Sequence, residues 1–365
     1  MSKAADLANL IGNINAGGGG VNRNVIINGA MNVAQRGTSS TGLGGNADSY
    51  HTIDRFKLGV EGTTAGRLTM TQDSSAPSGF ANSLKLACTT ADTSIGAAEL
   101  MVLAHIIEGQ NLQSFAKGTS DAKPFAVSFY VKGNASATYV CELFDGDNTR
   151  HVCSTFSVTT DWTRVEITFP TDTAGAFDDD NAASLYLQIF LHAGSNFSSG
   201  TLPATWASKT NANRAAGGGS FFDSTDRTFF ITGVQLEVGQ NPTSFEHEPV
   251  ERTLAKCQRY YFVLAEGDDE PILDGGMYNS TAFLGGVTFP VTMRTSPTLD
   301  EVEGTNYFNI IMDGGNDLAD GIGLNRDGNT HCAIEVSGNA SGTAGHSAQV
   351  RTGNASAKVR FKAEL

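Results

Sequence analysis

Apolar residues recur at every second position through most of the chain, and this period constrains the fold most strongly. The clearest runs are Phe125 to Val131, Val165 to Phe169 and Leu185 to Leu191. Side chains of a strand point alternately to its two faces, so each run predicts a strand with one buried face. Turn residues separate the runs, and helices do not alternate with them. We therefore expect an all-β fold of antiparallel strands, a jelly-roll-like β-sandwich.

Some segments make more specific predictions. Between Phe229 and Val238 the apolar phase shifts by one residue at Gly233, which predicts a bulge in a long strand. From Ala357 to Leu365 apolar residues alternate with Lys, Arg and Glu, so the end of the chain predicts a strand with one charged face. Tight turns are predicted where Gly-Asn-Ala-Ser begins, at Gly133, Gly338 and Gly353.

A chain of 365 residues exceeds what one ordinary core organises, so we expect more than one unit. The period-two pattern assigns residues 25–250 to the sandwich and 265–365 to a smaller C-terminal β domain. Between them, residues 251–264 contain strong helix formers and predict a helical connector. Residues 1–24 differ from both domains and form a separate N-terminal segment.

The N-terminal segment predicts a short amphipathic helix, because Leu7, Leu10 and Ile11 recur at helical spacing. The four glycines Gly17 to Gly20 follow and predict a flexible joint. An isolated helix this short is marginal in water, so its apolar side should dock onto a partner or onto copies of itself. The alternatives are a disordered leader and a helix folded back on its own domain.

The composition limits the partners. Charged residues make up only 17% of the chain, and the net charge is −14. The sequence has no cluster of Lys and Arg residues, which phosphate binding requires. We therefore expect no nucleic-acid partner. The acidic stretches Asp178 to Asp180 and Glu266 to Glu270 are interpreted as solvated loops. Without a signal peptide or a long apolar stretch, we also expect no membrane insertion.

Five widely spaced cysteines predict buried, unpaired thiols, although Cys141 and Cys153 could face each other across one hairpin. The sequence lacks the common catalytic and cofactor motifs, so we expect no enzyme, no cofactor and no metal site. A weak calcium candidate is the group Asp145, Asp147 and Asn148, for which a hairpin turn is the favoured interpretation. Asp178 and Asp180 could serve glycoside hydrolysis only at a suitable separation.

Several ordered blocks of the sequence resemble tail-fibre-type structural proteins of tailed bacteriophages and prophages. The N-terminal blocks are Asn24 to Gly37, Ile53 to Phe56, Ser78 to Leu86 and Ile107 to Leu112. The later blocks are Ile231 to Gly239, Phe245 to Pro249, Ala255 to Tyr261 and, weakly, Phe289 to Arg294. The resemblance implies a virion protein that assembles in the host cytoplasm, contacts other virion structural proteins and forms a homotrimer.

On this resemblance, Leu7, Leu10 and Ile11 would attach the chain to the virion or to its own copies. The sandwich also resembles carbohydrate-binding modules, which implies a tail-fibre subunit that binds host surface glycans. The glycan-contact candidates are Asn196, Phe197 and Trp206, in a turn-rich loop after a predicted strand. The alternative is that Phe197 and Trp206 only cover the end of the sandwich. The alternatives are a head decoration, collar or cement protein that bridges virion subunits and, less favoured, a fibre-associated polysaccharide depolymerase.

Overall fold

The computed structural model describes residues 2–15, 22–62 and 64–365. The chain divides into two compact units, Met1–Thr253 together with Leu365, and Leu254–Glu364. The predicted glycine joint, Gly17 to Gly20, lies outside the described residues. In the described part, no helix combines the length and apolar character needed to cross a bilayer.

The first unit contains helices α1 (Lys3–Asn15) and α2 (Ser195–Ser198) and most of the strands. The strands are β1 (Ser39–Leu43), β2 (Asp48–Tyr50), β3 (Phe56–Glu61), β4 (Arg67–Asp73), β5 (Ser83–Thr90), β6 (Leu100–Glu108), β7 (Phe125–Gly133), β8 (Ala137–Asp145), β9 (Arg150–Val158), β10 (Thr163–Phe169), β11 (Ala183–Ala193), β12 (Ala207–Ser208) and β13 (Thr228–Val238). Short 3-10 helices lie at Gly109–Asn111, Gln113–Phe115, Asn211–Asn213 and Phe221–Asp223.

These strands form two antiparallel sheets. One sheet has the order β1-β4-β5-β13-β7-β10, and the other has the order β12-β9-β8-β11-β6-β3-β2. The core cluster draws on alternate residues of strands in both sheets, such as Val127 and Phe129 of β7 and Leu187 and Ile189 of β11. The prediction of an all-β sandwich is therefore confirmed, because the period-two runs lie on these strands with their apolar residues buried.

The bulge predicted in β13 is present. The pairing of β13 with β7 shifts register between Thr232 and Gln235, and Gly233 adopts a φ of +63°. Left-handed backbone is disfavoured for residues with a Cβ, which explains glycine at this position. Before the bulge, Phe229 and Ile231 point into the core between the sheets. After it the alternation is shifted by one residue, so Val234 and Leu236 point into the same core.

Helix α3 (Val250–Gln258) crosses the division between the units, and the second unit is again built of strands. They are β14 (Tyr261–Met277), β15 (Phe283–Thr288), β16 (Thr298–Val302), β17 (Phe308–Met312), β18 (Gly315–Ala319), β19 (Gly321–Arg326), β20 (His331–Ser337) and β21 (Ser347–Lys362). The sheet has the order β18-β17-β21-β14-β15-β20-β19. Strand β16 pairs with β21 and lies near β19, so the sheet curves into a near-barrel.

The C-terminal alternation lies on β21, where Ala357, Val359 and Phe361 are fully buried. Three details of the sequence interpretation were wrong. The Gly-Asn-Ala-Ser segment at Gly353 lies inside β21 instead of in a turn, and Glu266 to Glu270 lie in β14 instead of in a loop. The predicted connector, residues 251–264, is helical only to Gln258, because β14 begins at Tyr261.

All five cysteines are buried thiols that form no disulfide with one another, as expected. Cys141 and Cys153 do not face each other, because Cys141 pairs with Ser154 and Cys153 pairs with Glu142. Cys141 belongs to the core between the sheets, whereas Cys153 belongs to a separate cluster. Burial raises the pKa of both thiols far above the usual value, so both remain protonated at neutral pH.

Candidate functional site

A groove of about 550 Å³ crosses the outer face of the six-stranded sheet, and we call it the aromatic groove. Tyr130 of β7 and Arg164 of β10 point into it, because their neighbours along each strand point into the core. The lining residues are Asp6, Ser78, Phe80, Tyr130, Arg164, Glu166, Ser244, Phe245 and His247. The groove is thus built from two strands, two loops and one residue of α1.

Four rings form the apolar part of the aromatic groove. The ring centroid of Phe80 lies 5.4 Å from that of Tyr130, 5.0 Å from that of Phe245 and 5.0 Å from that of His247. Phe245 and His247 also meet edge to face at 4.9 Å. The rings of Phe80, Tyr130 and Phe245 are half-buried and that of His247 is exposed, so the cluster presents aromatic surface to solvent.

Glycines permit the close approach of these rings to the sheet. A Cβ at Gly233 would lie 2.7 Å from Cζ of Phe80 and 3.0 Å from Cδ2 of Tyr130. A Cβ at Gly29 would lie 2.1 Å from the carbonyl oxygen of Val234 and 3.3 Å from Cε2 of Phe245. Real Cβ atoms essentially never make contacts under 3.0 Å, so a Cβ at Gly233 would displace the Phe80 ring and a Cβ at Gly29 would collide with the Val234 carbonyl.

Buried polar side chains of β13 hold the loop that carries Phe245. The carboxylate of Glu237 is fully buried and accepts hydrogen bonds from the backbone nitrogen of Thr243 at 2.7 Å and from Nε2 of Gln235 at 2.8 Å. Oε1 of Gln235 accepts from the backbone nitrogen of Glu246 at 2.8 Å. Nε of Arg23 lies 3.2 Å from Oε2 of Glu237 and compensates its charge. Satisfied networks of this kind fix one loop conformation.

Glu246 ties the same loop to the segment that precedes β1. Its carboxylate accepts from the backbone nitrogens of Asn22 at 2.7 Å and Asn24 at 2.9 Å. Oδ1 of Asn24 in turn accepts from the backbone nitrogen of Leu236 at 3.1 Å. The segments Asn24 to Gly37, Ile231 to Gly239 and Phe245 to Pro249 therefore meet beside the aromatic groove.

An ion pair lies beside the rings. Arg164 donates from Nη1 to Oε1 of Glu166, and from Nη2 to the carbonyl oxygen of Thr243 and, at 3.3 Å, to Oγ of Ser128. These contacts hold the planar guanidinium in one orientation. Glu166 and the groove serines Ser78 and Ser244 are exposed, so the polar side of the groove offers donors and acceptors to solvent.

The glycan-contact candidates from the sequence lie elsewhere. Asn196 is exposed on α2, and Phe197 is half-buried against the cluster that contains Phe190. Trp206 is only 8% exposed, belongs to the core between the sheets and donates from Nε1 to the carbonyl oxygen of Pro170 at 2.9 Å. Glycan contact by these residues stays a prediction, and the buried ring of Trp206 offers little face for stacking.

The weak calcium candidates form the hairpin turn that the sequence favoured. Strands β8 and β9 pair up to Asp145 and Arg150, which enclose the turn. Asp145 is fully buried, with Oδ2 2.5 Å from Nζ of Lys117, and its Oδ1 accepts from the backbone nitrogen of Asn148 at 3.0 Å. Oδ2 of Asp147 accepts from the backbone nitrogen of Asp178 at 3.0 Å. The Lys117 ammonium thus supplies the positive charge that a calcium ion would bring.

Glu142, His151 and Cys153 are buried with potential ligand atoms within 4.8 Å of one another, the spacing of a metal centre. Arg214, however, engages Glu142 through Nε at 3.1 Å and Nη2 at 2.8 Å, and Nδ1 of His151 lies 2.8 Å from Oε1 of Glu142. Burial raises the pKa of Glu142, but the hydrogen bonds from His151 and Arg214 outweigh it and hold that pKa below its usual value. We interpret the cluster as a structural ion-pair network.

The predicted N-terminal helix is present as α1, with the backbone nitrogen of Ala5 donating to Oγ of Ser2 at 3.3 Å. Leu7 is 57% exposed and Ile11 is 50% exposed, whereas Leu10 is half-buried. Residues four apart lie on one helix face, so Leu7 and Ile11 form an exposed apolar pair. Their predicted role in attachment or oligomerisation stays a prediction.

No protein-family model and no curated protein matches this chain. Among solved structures, it is similar to the family 11 carbohydrate-binding module from Clostridium thermocellum in complex with a β-1,3-1,4-mixed-linked tetrasaccharide, with 12% identity over 57% of this chain and 98% of that chain and a TM-score of 0.28. It is also similar to the enzymatically active domain of tailspike protein 4 from bacteriophage CBA120, with 12% identity over 59% of this chain and 21% of that chain and a TM-score of 0.29. At such scores the alignments carry no functional argument.

The aromatic groove was not predicted from the sequence. Its residues come from distant segments, and only the fold brings Phe80, Tyr130 and Phe245 together. Two segments that the sequence singles out, Ser78 to Leu86 and Phe245 to Pro249, each contribute a ring to the groove. The alternation in β7 also predicts that Tyr130 points away from the core.

Proposed function

We propose that this chain is a structural protein of a tailed-bacteriophage particle, a tail-fibre subunit that attaches to the host cell by binding surface glycans without catalysis. The observation that carries the glycan part is the aromatic groove with its adjoining Arg164–Glu166 pair. The phage part rests on the ordered sequence blocks between Asn24 and Tyr261. The proposed location is the virion, after assembly in the host cytoplasm.

The groove has the two kinds of surface that a sugar ring needs. A pyranose presents C–H groups on its faces and hydroxyls around its edge, so it binds where an aromatic surface adjoins fixed donors and acceptors. Phe80 and Phe245 supply the aromatic surface, and Arg164, Glu166 and Ser244 supply the polar groups. Ser78, Ser244 and His247 in the lining are exposed, so the groove opens to solvent and can bind part of a longer sugar chain.

A single open groove should bind weakly, so attachment would depend on several copies. In the proposed homotrimer, and with several fibres per particle, each second binding event becomes intramolecular and raises the overall affinity without new contacts. The exposed pair Leu7 and Ile11 would then dock α1 onto other virion proteins or onto its own copies.

The decisive experiment compares glycan binding by the wild type with that of Phe80→Ala and Phe245→Ala. A glycan array of host envelope and capsule material identifies the ligand, and calorimetry gives the affinity. We expect each variant to bind at least about tenfold more weakly, because a central aromatic contact contributes about 1.4 kcal/mol or more. Tyr278→Ala is the matched control, because Tyr278 is an aromatic residue of the second unit that is 72% exposed.

The proposal would be overturned if the wild type bound no glycan on the array, or if both groove variants bound as tightly as the wild type. Thermal unfolding of each variant separates loss of the site from loss of the fold. Release of reducing sugar by the purified protein would instead support the depolymerase alternative.

The exposed α1 pair also suits the second candidate function, a head decoration, collar or cement protein that bridges virion subunits. Both functions need a docking helix, so the position of the chain in the particle distinguishes them. A reconstruction of labelled virions should place this chain at the tail for a fibre and at the capsid or collar for the alternative. Leu7→Ser with Ile11→Ser should reduce incorporation into particles in either case.

A further inference from the structure

The charges around the aromatic groove bear on which glycans it can bind, an inference that rests on the proposed glycan-binding function. Among the lining residues, Arg164 carries the permanent positive charge, whereas Asp6 and Glu166 carry negative charges. The Arg164 guanidinium is already paired with Glu166 and donates to the carbonyl oxygen of Thr243. We infer that the groove selects neutral sugar chains over chains that carry carboxylates.

An anionic sugar would find poor partners at this site. Its carboxylate would have to compete with Glu166 for Arg164 while lying close to two like charges. Like charges brought together in a partly desolvated site oppose binding strongly. The net charge of −14 adds a repulsive field around the whole chain.

A neutral sugar finds complementary partners in the same groups. A carboxylate only accepts hydrogen bonds and a guanidinium only donates them, whereas a hydroxyl does both. Two adjacent hydroxyls of one sugar can therefore accept from Arg164 and donate to Glu166 at the same time. Glu166 is exposed and uses Oε1 for Arg164, so its second oxygen can accept a further hydrogen bond. The Arg164–Glu166 ion pair thus hydrogen-bonds to two neighbouring hydroxyls while the aromatic rings contact the face of the sugar.

The test uses pairs of ligands that differ only at C6, where one member of each pair carries carboxylates in place of hydroxymethyl groups. The probes are the neutral oligosaccharide that binds best on the array, beginning with glucose and galactose tetrasaccharides, and the same compound after oxidation of its C6 hydroxymethyl groups to carboxylates. We expect the wild type to bind the neutral form at least about tenfold more tightly at low salt. The preference should narrow as sodium chloride is raised, because salt screens the repulsion.

Glu166→Gln should weaken binding of the neutral probe, because the variant loses a hydrogen-bond acceptor. It should also reduce the preference for the neutral over the oxidised probe, because it removes a negative charge from the groove. Glu301→Gln is the matched control, because it makes the same charge change at an exposed position of β16. If the wild type bound the oxidised probe as tightly as the neutral probe or more tightly, with Phe245→Ala still abolishing binding, the selectivity for neutral sugars would be overturned. That result would leave the proposed glycan-binding function intact. If the wild type bound no glycan on the array, the proposed glycan-binding function itself would be overturned.

Discussion

Gly233 lies directly beneath the ring of Phe80, so close that a Cβ at this position would be 2.7 Å from Cζ of the ring. The same residue has a φ of +63° and forms the bulge of β13. One backbone irregularity therefore changes the phase of a central strand and leaves room for the central ring of the aromatic groove. The bulge links the folding of the sandwich to the geometry of the candidate site.

Gly233→Ala should destabilise the fold and also displace Phe80. Gly42→Ala is a control with matched backbone, because Gly42 has a φ of +70° and a Cβ added there would meet no other atom within 4 Å. Left-handed backbone costs alanine about 1–2 kcal/mol, so Gly42→Ala should lose about that much unfolding free energy. Gly233→Ala should lose more and should also weaken glycan binding, as measured by urea unfolding and calorimetry. Equal losses in both variants, with unchanged binding, would contradict the prediction.

Trp206→Ala should act on stability instead of on the proposed site. The indole packs in the core with its ring centroid 5.3 Å from that of Phe125, and its truncation leaves a cavity. Such truncations cost about 3–5 kcal/mol. Urea unfolding should show this loss, whereas calorimetry below the melting temperature should give wild-type glycan affinity. Tyr278→Ala, at an exposed position of the second unit, controls for general effects of removing an aromatic ring. Weakened binding by a stable Trp206 variant would restore the sequence-based site.

Much of the fold followed from the sequence, because strand period and burial are local properties. The runs Phe125 to Val131 and Ala357 to Leu365, and the bulge at Gly233, could all be predicted from neighbouring residues. The extended backbone at Gly353 could not, because long-range pairing of β14 with β21 overrides its local turn preference. For Trp206 the sequence left glycan contact and a place over the end of the sandwich open, and only the packing of the two sheets determines that it is buried.

Calcium should not stabilise this protein, because Lys117 already neutralises Asp145. Nζ of Lys117 lies 2.5 Å from Oδ2 of Asp145 and 3.2 Å from Oδ2 of Asp172, and all three side chains are buried. Melting temperatures in millimolar calcium and in chelator should agree, whereas a bound ion would raise the temperature with concentration. Lys117→Met should cost about 3–5 kcal/mol, since it leaves buried carboxylates without their cation. A saturable rise of the wild-type melting temperature with calcium would contradict this assignment.

Stability should fall as the pH drops below about 6.5, because two buried histidines resist protonation in the folded state. Burial and the nearby Arg55 guanidinium hold the pKa of His105 well below its usual value. Burial also lowers the pKa of His192, although its contact with Glu99 opposes the shift. The unfolded chain therefore takes up protons that the folded chain does not, and each histidine can contribute up to about 1.4 kcal/mol per pH unit. Urea unfolding between pH 7.5 and 5.5 should show this slope, and His192→Gln should reduce it within that window while leaving the slope above pH 7.5 unchanged. An unchanged slope below pH 6.5 in that variant would show that His192 becomes protonated without loss of the fold.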